Sequence, residues 1–128
     1  MKIAAVIARL LLGLVFFVFG LNKIVPFIPA TMPPGDAGTW SLLMVNHHWM
    51  TVVGIFETVG GLLLLSGRFV PLGLALIVPV TVNILLFSFL FYPRAAGSGV
   101  VVALLELFLL YAYRSYFAPL FTGKAQIS

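Results

Sequence analysis

The chain has 128 residues, of which 62% are hydrophobic and 8% charged, with a formal net charge of +4 and no cysteine. A soluble domain carries about a quarter charged residues, so this chain lacks the polar material for a water-facing surface and reads as one integral membrane domain, residues 1–128. Without cysteine it has no thiolate nucleophile, disulfide relay, iron–sulfur cluster or covalent haem, so redox chemistry needs a diffusible or partner-held cofactor. Its basic residues are scattered rather than striped, which argues against nucleic acid as a partner.

The first apolar run predicts a helix over about residues 3–24. Lys2 and the run behind it suit a signal peptide, but Arg9 interrupts the run and no A-x-A-like cleavage site follows, so an uncleaved helix is expected. Arg9, Gly13, Phe16, Gly20 and Lys23 fall near one meridian of that helix. Its two glycines let another helix approach closely.

A loop with Pro26, Pro29, Pro33, Pro34, Gly35 and Gly38 follows, and its first half is expected to be extended and turning. Trp40, Leu43, Met44 and His47 then recur at helical spacing. They predict a short amphipathic helix in the first outer loop, lying at the interface where tryptophan prefers to sit and able to cap the bundle mouth. His47 and His48 are neighbours that would point about 100° apart, with no third ligand nearby in sequence, so no metal site is expected.

The second spanning helix is expected over about 50–66, with Glu57, Gly60, Gly61, Leu64 and Gly67 on one face. The tight turn Ser66–Gly67–Arg68 makes it an antiparallel neighbour of the third, over about 69–92. Pro79 lies inside that third helix and predicts a kink, and Leu72, Leu76, Pro79, Asn83 and Phe87 form its expected inward stripe. A fourth helix over about 95–114 carries Gly99, Ala103, Glu106, Leu110 and Tyr113, before an aromatic tail suited to the headgroups. Each run is long enough for a ~30 Å hydrocarbon core. Lys2, Arg68, Arg114 and Lys124 fall at one end, against Lys23 and Arg94 at the other. By the positive-inside rule both termini are expected in the cytoplasm. The fold class is therefore an all-α integral membrane four-helix bundle.

Glu57 and Glu106 stand in mid-helix, in a chain whose only other acid is Asp36. An ionisable group in hydrocarbon costs about 3 kcal/mol or more, so it normally faces the bundle interior and has a partner. Counted from the outer helix ends, Glu57, Asn83 and Glu106 share a layer ~12–15 Å deep. Arg9 is expected to pair with Glu57 or Glu106, because a guanidinium suits carboxylate geometry. Lys23 is then left for the other acid or for a ligand. Such contacts can simply fix helix register. They can also floor a pocket for a small ligand or a proton, with Arg9, Lys23, Glu57, Asn83 and Glu106 as candidates. No catalytic residue is identified, since the chain has neither a nucleophile elbow nor a phosphate loop.

The pattern Arg9-x3-Gly13-x2-Phe16-x3-Gly20-x2-Lys23, followed by Glu57-x2-Gly60-Gly61-x2-Leu64-x2-Gly67, resembles the DoxX family of small bacterial membrane proteins over essentially the whole chain. The resemblance implies a four-helix bundle and a multi-pass location in the bacterial inner membrane. The family is named for a subunit of a thiosulfate:quinone oxidoreductase, and some members are linked to membrane redox or detoxification complexes. Its motif residues fall here on Arg9, Gly13, Gly20, Lys23, Glu57, Gly60 and Gly61. Three functions follow in order. The first is a non-catalytic membrane subunit or scaffold of a redox or quinone-linked complex, with oxidoreductase partner subunits. The second is a binder of a small hydrophobic or quinone-like ligand, with the Trp40–Trp49 segment as a lid. The third is a small proton-coupled transporter, which at four helices per chain would require a homodimer.

Overall fold

Backbone groups inside a bilayer must be satisfied within their own segment, so long apolar runs become helices. The structure, a computed structural model, describes residues 1–29 and 31–128; Ala30, in the proline loop, lies outside the described residues. Its helices are α1 (Lys2–Ile24), α2 (Gly35–Asn46), α3 (Trp49–Ser66), α4 (Val70–Phe91) and α5 (Ala96–Ala112). A 3-10 turn, Pro93–Ala95, leads into α5, and a short α6 (Arg114–Phe117) and a second 3-10 turn, Ala118–Phe121, follow it. The four helices α1, α3, α4 and Pro93–Ala112 are long and apolar enough to cross a membrane, and the described residues contain no strand.

Helix α1 packs on α3, α3 on α4, α4 on α5, and α5 back on α1, closing a four-membered ring. Lys2 and Ala5 line a groove together with Tyr113 and Arg114, so the start of α1 and the end of α5 meet at one end of the bundle, and α2, which links the other end of α1 to α3, lies at the opposite end. Leu12, Phe16, Leu64, Leu74, Ile77 and Leu109 fill the core. Leu14, Phe19, Val52, Leu62, Leu86 and Leu104 point outward, where acyl chains replace water.

The tightest seam is between α1 and α3, and glycine makes it. A Cβ on Gly61 would stand 2.5 Å from the Phe17 nitrogen, and one on Gly20 2.6 Å from the Thr58 nitrogen. Neither fits against backbone. The α3–α4 seam is similar, with Gly73 facing the Gly60 carbonyl oxygen. Contacts of this kind also set register: Gly20 sits against Glu57 and Thr58, and Gly13 against Gly61 and Leu64.

That register corrects the expected pairing of Arg9 with Glu57 or Glu106. Arg9 comes level with the end of α3, about ten residues or ~15 Å along the axis from Glu57. Its Nη1 donates to the Leu64 carbonyl at 2.6 Å, and the guanidinium lies over Gly67. Gly67 has φ +72°, and its N–H closes the helix on the Leu63 carbonyl at 3.1 Å. Arg9 thus satisfies one of the carbonyls that a helix C-terminus leaves free, and its charge suits the dipole there. Arg9→Ala is expected to cost about 1–3 kcal/mol, read as a lower unfolding midpoint in detergent, with no change at the far end of the bundle.

Two other expectations shift. Helix α2 begins at Gly35, behind an extended Pro34, with Asp36 in its first turn, and stops at Asn46; the His47–His48 pair forms the turn into α3, with His48 at φ 59°. On α4 the buried face is Val70, Gly73, Leu74, Ile77, Val80, Thr81 and Ser88, whereas Leu72, Pro79 and Asn83 are exposed. A helix that is apolar all round carries no amphipathic signal from which its inward face can be read.

Candidate functional site

Beyond the Gly60–Gly73 contact, towards the α2 end, α3 and α4 leave a gap between them. It holds an inner chamber of about 150 Å³, lined by Lys23, Trp40, Trp49, Glu57, Asn83 and Phe87 among others. A groove of about 410 Å³ adjoins it, walled by Val52, Phe56, Ala75, Leu76 and Pro79. Trp49, Val53, Val80 and Asn83 line both, so the two spaces lie side by side and share a wall. Val52 and Phe56 are exposed on the outer wall, so the groove faces the hydrocarbon.

The chamber's two charged groups come from α1 and α3, the helices held in register by glycine. Lys23 lies level with Gly54, whose Cβ would be 2.8 Å from that of Lys23. Glu57 is three residues deeper, ~4.5 Å along the axis, a step the lysine stem spans. Lys23 Nζ stands 2.7 Å from Glu57 Oε1, with Lys23 28% exposed and Glu57 2%. Glu57 Oε1 has no partner besides this ammonium. At this separation the charges attract regardless of angle, so the contact is an ion pair. It is the only ion pair among the described residues.

Asn83 marks the boundary between chamber and groove. Its Nδ2 donates to the Pro79 carbonyl at 3.0 Å, which fixes the side chain and leaves its second N–H and its oxygen for a ligand. Above the chamber, Trp40 of α2 packs against Phe87 at 4.8 Å and Phe91 at 6.3 Å between ring centroids. This aromatic cluster pins α2 to α4 as a cover.

Glu106 does not join this group. It is 3% exposed in the α4–α5 seam, where the Thr81 hydroxyl donates to its Oε2 and Oε1 has no partner. The shared polar layer therefore splits, with Lys23, Glu57 and Asn83 at one site, Glu106 at another, and Arg9 near the termini. Thr81 escaped the sequence reading, although a signal for it existed. Thr81 and Ser88 are seven apart on α4, as are Gly99 and Glu106 on α5, and the antiparallel seam sets each pair against the other. Thr81→Val should leave both Glu106 oxygens unsatisfied and cost about 1–3 kcal/mol, measured by denaturant titration in mixed micelles, with Thr81→Ser restoring most of the loss.

The described residues contain no group of three or more His, Cys, Asp or Glu arranged to hold a metal ion. The DoxX family model matches residues 4–105. Over 121 residues the chain is 30% identical to the "Uncharacterized protein YwoB" of Bacillus subtilis (strain 168), an overlap covering 88% of this chain and 79% of that protein. No solved structure matches the chain. The matched span takes in Lys23, Glu57, Thr81 and Asn83 and ends one residue before Glu106.

Proposed function

Because the chain belongs to the DoxX family, we propose that it is a non-catalytic membrane subunit of a redox complex, one that holds a quinone-like molecule between α3 and α4. It is a multi-pass membrane protein with four spanning helices. The bacterial inner membrane and a cytoplasmic position for both termini belong to the same proposal.

The observation that carries it is a charged, amide-edged chamber set directly beside an apolar groove on the lipid side. A quinone presents carbonyl acceptors on a flat ring and a long apolar tail. The Lys23 ammonium and the free Asn83 N–H are donors for those carbonyls, the aromatic cover suits the ring, and the groove suits the tail. Glu57 holds Lys23 in place and balances its charge. With no cysteine to hold an iron–sulfur cluster or a covalent haem, electrons would pass between the bound ring and a partner oxidoreductase docked at the α2 end.

Trp40 and Trp49 are the only tryptophans of the chain and both line the chamber. Quinones quench tryptophan fluorescence on contact. A decyl-ubiquinone titration of the protein in lipid nanodiscs should give saturable quenching, and Asn83→Leu should weaken the half-point about tenfold, the loss expected for one hydrogen bond and a blocked mouth. Quenching that rises linearly, as for a free tryptophan analogue in the same lipid, would overturn the reading. Co-purification of an oxidoreductase under mild detergent tests the subunit part separately.

A further inference from the structure

The α4–α5 seam contains a second opening, unconnected with the ion pair. It is a cleft of about 160 Å³ between Thr81 and Val82 on one side and Ala103, Glu106 and Leu107 on the other. Its rim residues Val82 and Leu107 are exposed to the hydrocarbon, and its only polar contributions come from Thr81 and Glu106. Thr81 has a single O–H, already given to Glu106 Oε2. Oε1 is left buried with no protein group to pair with. An unsatisfied carboxyl oxygen in apolar surroundings is costly.

We propose that this cleft is a second binding site, for a small lipid-soluble molecule that carries a hydroxyl group, with the Glu106 carboxyl as its hydrogen-bonding anchor. The size fits one ring, since an apolar cavity of about 150 Å³ takes up benzene. The polarity fits a hydroxyl, which both donates and accepts and so complements a carboxyl in either protonation state. An amine would bring a second charge into a cleft with no further polar lining, a poor exchange for its hydration. A quinone only accepts hydrogen bonds and offers nothing to an ionised carboxylate. The rim opens to acyl chains, so the ligand enters from the bilayer.

The test uses 4-butylphenol and butylbenzene, which share a ring and a tail and differ by the hydroxyl. Protein in nanodiscs is treated with diisopropylcarbodiimide, which adds to carboxyl groups in apolar surroundings, and the adduct at Glu106 is followed by mass spectrometry. The phenol should halve the labelling rate at about a tenfold lower concentration than butylbenzene, the ratio for one hydrogen bond to a buried carboxyl. Ala103→Phe, which fills the cleft, should abolish the difference while quinone quenching of Trp40 and Trp49 persists, showing that the variant is folded. Equal protection by the two compounds, no protection by either, or no adduct at Glu106 would overturn the second site and leave the quinone proposal standing.

Discussion

Glu57→Leu is expected to destabilise the bundle by about 3 kcal/mol and to raise the half-point for decyl-ubiquinone at least tenfold. The carboxylate is 2% exposed and its partner 28%, so removing the acid strands an ammonium among Trp40, Trp49 and Phe87 with only partial access to water. Removing one member of a buried pair costs more than the pair contributes, because the survivor keeps its desolvation penalty. Lys23's residual exposure lets it turn partly toward the α2 end, which holds the loss at the lower end of the usual ~3–5 kcal/mol range. Lys23→Met alone should behave similarly. The double variant Lys23→Met/Glu57→Leu should recover most of the stability but not the quinone affinity, because it restores packing without restoring a donor. Unfolding in mixed micelles and tryptophan quenching, measured on all four proteins, give the coupling energy and the binding loss together. If the double variant binds quinone like the parent protein, Lys23 is no ligand.

The same substitution, glycine to alanine, is expected to have opposite signs at two positions. At Gly61 the new Cβ would lie 2.5 Å from the Phe17 nitrogen and 2.7 Å from the Gly13 carbonyl oxygen. Backbone cannot rotate aside as a side chain can, so α1 must move off α3. We expect a loss of about 2–4 kcal/mol, as for severe overpacking. Because the α1–α3 register carries Lys23 to Glu57, the quinone half-point should weaken as well. At Gly97, near the start of α5, a Cβ meets nothing within 4 Å. There alanine's helix propensity is unopposed and should add up to about 1 kcal/mol. Equal effects at the two sites would mean that the glycines are tolerated rather than required at the seam.

The architecture was largely legible in the sequence because it depends on runs of apolar residues and on punctuation by proline and glycine. All four spans, the Ser66–Gly67–Arg68 turn and the small-residue faces of α1 and α3 follow from spacing alone. Partner assignment was not legible. Which cation meets which acid depends on how far α1 slides along α3, and that is fixed by a contact between Gly20 and Thr58 that no one-helix pattern reveals. Depth counting placed Glu57, Asn83 and Glu106 in one layer, but depth leaves direction open. Thr81 and Asn83 are two residues apart on α4, about 200° around the axis, so one reaches into the α5 seam while the other edges the chamber. With α4 apolar nearly all round, the one clue to which was which is the seven-residue spacing of Thr81 and Ser88, matched by Gly99 and Glu106 on α5.

The central claim is that a quinone-like ring sits beside Lys23 and Asn83, and a photoreactive azidoquinone tests it most directly. Irradiated with the protein in nanodiscs and mapped by mass spectrometry, the label should concentrate on Trp49, Val53, Val80 and Asn83, the residues shared by chamber and groove, and be displaced by excess decyl-ubiquinone. Adducts spread instead over outward-facing Leu14, Phe89 and Leu104, with no displacement, would contradict it.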